Sequence, residues 1–197
     1  MKSTGSRSVA LTFDDGPDPV YTPQMLNMLK KNGVKATFCL VGFRVAMYPA
    51  LVKRIVAEGH TICNHTWQHR MDIGKQSNEV ILKDLQDTNN AIRKAVPKVK
   101  IKYFRAPGGY FNTKLVGLAA SLGMRSIYWD LDTRDWEFSK YPHGTPMVDH
   151  IVETVGYGTR PGSIILAHDF HKPDTVTAFT TLMPWLKAHF KLIPLPI

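Results

Sequence analysis

Residues 12–18, TFDDGPD, set Asp14 and Asp15 side by side at the end of an apolar run. Adjacent carboxylates repel, which raises the pKa of one of them. A turn needs no more than one aspartate. Either both are turn residues ahead of Gly16-Pro17, or one binds a cation and leaves the other ionised as a base. His65 and His69 stand four apart in NHTWQH, residues 64–69. If that segment opens a helix capped by Asn64, both imidazoles project from one face and can share a metal ion. At this spacing a surface histidine pair is the plain alternative. Two histidines and one carboxylate, with positions left for water, make a common catalytic metal set. Asp15 supplies that carboxylate, and Asp14 stays free as the base.

These residues fall at regular places in the chain. Apolar, strand-like runs alternate with amphipathic ones: strands over 9–13, 36–41, 60–64, 102–107, 125–130 and 163–169, with a last run at 190–195. Between them lie helices. Thr22-Pro23 opens one, since proline is well placed at the first helical position. Others run over 49–58, 77–96, from the cap Asn112 to Gly123, from Thr145-Pro146, and over 175–189 with a kink near Pro184. About seven strands separated by helices argue for a parallel α/β sheet with right-handed crossovers. Closed, it is a (β/α) barrel shorter than the usual ~250 residues; open, it is a doubly wound sheet. No GxGxxG follows the first strand, which weighs against dinucleotide binding. Asp14-Asp15, NHTWQH, RAPGG (105–109), DLDTRDW (130–136) and LAHD (166–169) all lie at carboxyl ends of expected strands. That end carries the chemistry in such architectures.

The 197 residues suffice for one domain, 1–197, with a substantial core. A net charge of +9 and a pI near 9.6 favour acidic partners. No basic stripe interleaved with aromatics suggests a nucleic-acid surface. The apolar runs are too short to span a bilayer, and no signal peptide is visible. Cys39 and Cys63 lack CxxC spacing. They are either buried thiols or one disulfide.

Taken in order, TFDDG (12–16), HTWQH (65–69), RAPGG (105–109), DTRDW (132–136) and LAH (166–168) resemble the five motifs of the NodB-homology polysaccharide deacetylases, carbohydrate esterase family four. The resemblance runs from about residue 8 to 195. It implies a distorted (β/α) barrel, a divalent metal (zinc, with cobalt as an alternative) and removal of acetyl groups from carbohydrate polymers. Carried over, Asp15, His65 and His69 are the metal ligands, Asp14 the general base and His168 the general acid. Arg105 holds the base and Asp132 tunes the acid. Trp136 and Leu166 wall the acetyl pocket, and a main-chain N–H at Gly108 or Gly109 receives the oxyanion. The family usually carries an aromatic where this chain has Gly108, so Tyr110 is the candidate replacement wall. Cys63 also stands where relatives commonly have glycine.

The expected substrate is an N-acetylglucosamine polymer or oligomer, chitin oligomers or peptidoglycan. The alternatives are an O-acetyl esterase on acetylxylan and a non-catalytic glycan-binding relative, whose signature would be loss of Asp14 or His168. An exported, monomeric enzyme at the cell envelope is expected, with a cytoplasmic one as the alternative.

Overall fold

The computed structural model describes residues 1–196. Seven strands form one curled, all-parallel sheet: β1 (Ala10–Asp14), β2 (Thr37–Leu40), β3 (Thr61–Asn64), β4 (Tyr103–Phe104), β5 (Arg125–Ser126), β6 (Leu131–Asp132) and β7 (Ile164–His168). Their order is β5-β4-β3-β2-β1-β7-β6. Helices α1 (Tyr21–Asn32), α2 (Gly42–Met47), α3 (Pro49–Ala57), α4 (Asn78–Ala95), α5 (Thr113–Ser121), α6 (Thr145–Gly158) and α7 (Pro173–His189) surround it. This is a distorted (β/α) barrel, left unpaired between β5 and β6.

β1 is central and wholly buried. Side chains alternate along a strand. Leu11 and Phe13 face the helical layer, where Phe13 packs on Phe38 and, edge-on, on Phe179, both at 5.4 Å between ring centres. Ala10 belongs to a separate inner cluster with Cys39, Cys63, Tyr103, Ile127, Ile164 and Leu195. Thr12 and Asp14 share that inner face by parity. Cys39 and Cys63 pair in register on β2 and β3, and both are buried free thiols.

Three expectations change. The run 125–130 is a strand only at Arg125–Ser126, β5; 127–130 are irregular, and the next strand, β6, begins beyond the run at Leu131. The run 190–195 is no strand: it makes only a single bridge, Val9 to Leu192. Pro194 and Pro196 lack the N–H groups a ladder needs. Leu195 instead closes the inner cluster, its N–H donating to Thr37 Oγ1 at 2.9 Å and its carbonyl accepting from Thr61 Oγ1 at 2.7 Å. The segment NHTWQH forms no helix. β3 ends at Asn64 and a loop follows, with Thr66 and His69 at φ 66° and 55°. Two smaller differences concern helices: α2 was not foreseen, and α1 begins at Tyr21. Asp18 Oδ1 accepts the Val20 and Tyr21 N–H groups at 2.7 and 2.8 Å there, so Thr22 is not the cap.

Candidate active site

Register assembles the first part of the site. Asp14 pairs with His168 across β1 and β7, so both side chains leave the same face at the same height. Asp15 follows Asp14 and in a regular strand would point to the other face. It turns instead at φ 77°. That left-handed conformation costs an ordinary L-residue about 1–2 kcal/mol, and aspartate tolerates it better than most. The turn swings Asp15 over the strand ends into the cavity that Asp14 already faces. Two supports hold it. Arg44 of α2 donates to the Asp15 carbonyl at 2.5 Å while its guanidinium lies 3.2 Å from the centre of the Phe170 ring. Gly16 next to it has no room for a side chain, since a Cβ there would come within 2.5 Å of Asp169 Oδ1. Asp169 is itself buried, hydrogen-bonded by Thr22 Oγ1 at 2.5 Å, and pushed up by burial to about 7.

Asp14 is buried and held from below. Arg105, fully buried on the loop after β4, donates through Nη1 to Asp14 Oδ1 at 2.7 Å and to Thr12 Oγ1 at 2.8 Å. Its Nη2 donates to the Tyr128 carbonyl at 3.1 Å. Burial alone would make Arg105 easier to deprotonate, but the Asp14 charge more than reverses that.

Asp15, His65 and His69 bring their donor atoms within 4.8 Å of one another. Asp15 Oδ1 is 3.4 Å from His65 Nε2 and 3.1 Å from His69 Nε2. The His65 Nδ1–H donates to the Arg105 carbonyl at 2.8 Å. That fixes the tautomer, so in the neutral ring Nε2 presents a lone pair to the carboxylate. A lone pair facing a carboxylate oxygen that has no hydrogen-bond partner of its own leaves a place between them for a metal ion or a proton. The donor set suits zinc or a similar divalent ion. Burial pushes the Asp15 carboxyl up, but the two imidazoles overcome this and hold it well below the usual carboxylate range.

The His168 Nδ1–H donates to Asp135 Oδ1 at 2.6 Å, and the His168 backbone N–H to Asp135 Oδ2 at 2.9 Å. This corrects the expectation that Asp132 tunes the acid. Asp132 sits at the end of β6 with Oδ1 turned into its own loop, accepting Arg134 N–H at 2.8 Å and Trp136 Nε1–H at 3.3 Å. Asp135 is fully enclosed and further braced by Thr175 Oγ1 at 2.7 Å and by Lys172 Nζ on its carbonyl at 2.8 Å. Burial alone would lower the His168 pKa. The charge and hydrogen bond of Asp135, with Asp15 and Asp14 beyond, raise it to about 10.

One cavity of 330 Å³ is lined by Asp14, Asp15, His65, His69, Gly108, Tyr110, Asp132, Trp136, Leu166 and His168, together with Met71 and Trp129. Two expected members lie behind it. Arg105 acts through Asp14. Gly109 is packed against Tyr128 and Trp129, and its N–H already donates to the Ala106 carbonyl at 2.9 Å, so Gly108 is the oxyanion donor to consider. Sequence reasoning missed Asp135, Arg44, Asp169, Met71 and Trp129. Only Asp135 carried a signal, as the second aspartate of DTRDW.

The family model for polysaccharide deacetylases matches residues 1–127. A chitooligosaccharide deacetylase of Sinorhizobium fredii is 37% identical, over 93% of this chain and 87% of its own. A peptidoglycan-N-acetylglucosamine deacetylase of Bacillus cereus is 38% identical, over 91% and 81%. Among solved structures, a wild-type CE4-family pseudoenzyme of Bacillus anthracis superposes with a TM-score of 0.85 at 31% identity, covering 97% of this chain and 64% of that one. The chain belongs to the polysaccharide deacetylase family.

Proposed function

We propose that this protein is a metal-dependent hydrolase removing N-acetyl groups from N-acetylglucosamine oligomers or polymers, chitin oligosaccharide or peptidoglycan, to give acetate and a free amine. The observation that carries it is a single cavity in which Asp14 and His168 sit in register beside the Asp15–His65–His69 cluster. Asp15, His65 and His69 would hold a divalent ion, zinc foremost and cobalt as the alternative. When bound, that ion polarises the acyl oxygen and acidifies water. Asp14, oriented by Arg105, which Thr12 Oγ1 helps to hold, takes the proton of the attacking water. The N–H of Gly108, a residue of the cavity wall, would be the backbone donor to the charge that develops on the acyl oxygen. His168, charged by virtue of Asp135, passes a proton from Nε2 to the departing nitrogen. Trp136 and Leu166 enclose the acetyl methyl.

Likeness to a pseudoenzyme makes the non-catalytic reading worth answering. The acid, the base and all three cation donors are present here. Export to the cell envelope follows from the substrate. The test is acetate release from chitopentaose, peptidoglycan and acetylxylan side by side. The reading expects release from at least one N-acetylglucosamine substrate, lost in Asp14→Asn. Release from acetylxylan alone would replace it with an O-acetyl esterase.

A further inference from the structure

The sheet is all-parallel, so the loops entering its strands gather at the end of the barrel opposite the catalytic cavity. Those loops carry an uneven share of the charge. The loop from α4 into β4 packs Val99 and Ile101 on the core and leaves Lys98, Lys100 and Lys102 exposed. Arg125, exposed at the start of β5, donates its N–H to the Lys102 carbonyl at 2.7 Å, which sets it beside them. Lys30, Lys31 and Lys35 stand ahead of β2. Arg7, Arg160 and Lys191 lie about the starts of β1 and β7, where the Val9 N–H donates to the Lys191 carbonyl at 2.9 Å. Among the described residues none of these cations is ion-paired; the surface bridges use Arg54, Arg70, Lys83 and Arg134 instead. The acids at this end, Glu58 and Asp130, are already occupied. Arg54 bridges Glu58 at 2.7 Å, and Asp130 accepts from Ser163 Oγ at 2.8 Å and from the Ile164 N–H at 2.7 Å. The catalytic cavity is the reverse: its walls include Asp14, Asp15 and Asp132 and no lysine or arginine.

We infer that the end of the barrel opposite the active site is a docking surface for an anionic polymer, with Lys98, Lys100, Lys102 and Arg125 at its centre. The choice of partner rests on the deacetylase reading, which places the enzyme on a glycan wall; the partner is a phosphodiester polymer carried covalently by that wall. Cations in the last turn of a helix have a simpler role, since they offset the helix dipole. Lys30 and Lys31 on α1 answer to it. Lys98, Lys100 and Lys102 lie past the end of α4, and Arg125 lies on a strand, so that role does not account for them. Neither 96–102 nor 122–126 carries an exposed large apolar side chain. Single-stranded nucleic-acid sites stack bases on aromatics, and membrane-surface helices insert apolar side chains. This surface has neither device. A hydrophilic polyanion recognised by charge alone fits it. The polarity of the molecule then has a use. A polyanion meets no cationic side chain at the cavity and several at the far end, so docking leaves the rim free for neutral glycan.

The test compares two variants of equal net charge. One is Lys98→Ser/Lys100→Ser/Lys102→Ser/Arg125→Ser. The other removes four exposed lysines elsewhere, Lys75→Ser/Lys83→Ser/Lys114→Ser/Lys140→Ser. Each is measured beside the wild type at low salt for binding to purified wall carrying its phosphodiester polymer, to the same wall after acid removal of that polymer, to duplex DNA and to phosphatidylserine vesicles. The wild type should bind intact wall about tenfold or more tighter than stripped wall, the scale of several exposed charge contacts acting together. The first variant should lose that advantage and the second keep most of it. Turnover of neutral chitopentaose should stay within about twofold in both, which checks that both are folded. Equal loss in the two variants would overturn the surface and leave net charge as the cause. Equal binding of wild type to intact and stripped wall would overturn the partner, as would a loss in the first variant seen on DNA or vesicles and not on wall. Each of these results leaves the deacetylase reading standing. Acetate from neither chitopentaose nor peptidoglycan would overturn that reading, and with it the reason for a wall polymer.

Discussion

Asp14 and Asp15 are neighbours in sequence but do different work because the backbone turns between them. Their pairing was readable: two carboxylates at a strand end, with two histidines elsewhere, predict a cation and a base. The partner of His168 was not readable, because DTRDW offers two aspartates and only the backbone between them decides. Asp132 still belongs to β6 and its loop, whereas Asp135 is three residues on, under His168. The difference predicts behaviour. Asp135→Asn removes the largest influence raising the His168 pKa, so the alkaline limb of the kcat/KM profile should move down from near pH 10 toward neutrality. Asp132→Asn should leave that limb in place, and histidine NMR titration checks both. The sign for stability follows from the same shift. The folded pKa of about 10 exceeds the ordinary 6.5. The pair therefore stabilises the fold fully below about pH 6.5 and progressively less as pH rises to 10. Asp135→Asn should flatten that part of the stability curve in urea melts. Arg105 gives a second expectation. Arg105→Met leaves Asp14 buried without its counter-charge and should cost about 3–5 kcal/mol in urea unfolding, the range for breaking one side of a buried pair. Asp14→Asn in the same background should recover part of that loss.

The long elements were legible. Their apolar periodicity, the Asn112 cap and the flanking prolines mark α4, α5, α6 and α7 closely. The short ones were not, since β4, β5 and β6 have two residues each and their apolar runs continue past the ladder. The loop carrying His65 and His69 looked helical because a four-residue spacing is also what a helix face needs. Here the two rings converge because His65 directly follows the end of β3 and the chain turns through left-handed Thr66 and His69. Loop 65–69 is pinned by α2 and α4: Gly42 and Phe43 N–H groups donate to the Thr66 and Trp67 carbonyls, and Trp67 N–H donates to Asp84. The unforeseen helix α2 thus serves both sides of the cation site, because Arg44 on it also holds Asp15. Arg44→Met keeps much of the packing on Phe170 and removes the hydrogen bond. It should weaken zinc affinity by about tenfold, the scale seen when outer contacts of a metal site are lost. Calorimetric titration of metal into the chelator-stripped protein measures this without reference to turnover. Unchanged affinity would mean that the Asp15 turn is set by its own sequence.

At the scale of the whole molecule, the barrel brings five separated motifs to one rim, and the chain as a whole carries a net charge of +9. Chelation should abolish acetate release and added Zn²⁺ or Co²⁺ restore it, since three of the cavity walls are cation donors. The charge calls for a different experiment. Chitin is neutral and gives a basic enzyme no electrostatic reason to stay on it. Cell walls bearing anionic polymers do, through an attraction that reaches about 8–10 Å at moderate salt and is screened beyond it. Such attraction acts on where the enzyme dwells, while the chemical step happens in a cavity where the base and the acid belong to the enclosed pairs Asp14–Arg105 and His168–Asp135. Raising salt from low to about 0.5 M should therefore release the protein from purified wall material and leave kcat on a short neutral chitooligomer within about twofold. The check is co-sedimentation with the wall run beside acetate release from the oligomer at each salt concentration. Equal sensitivity of the two would place the charge effect inside the cavity, at His168 or the cation donors. Insensitivity of both would reduce the basic surface to a solubility feature.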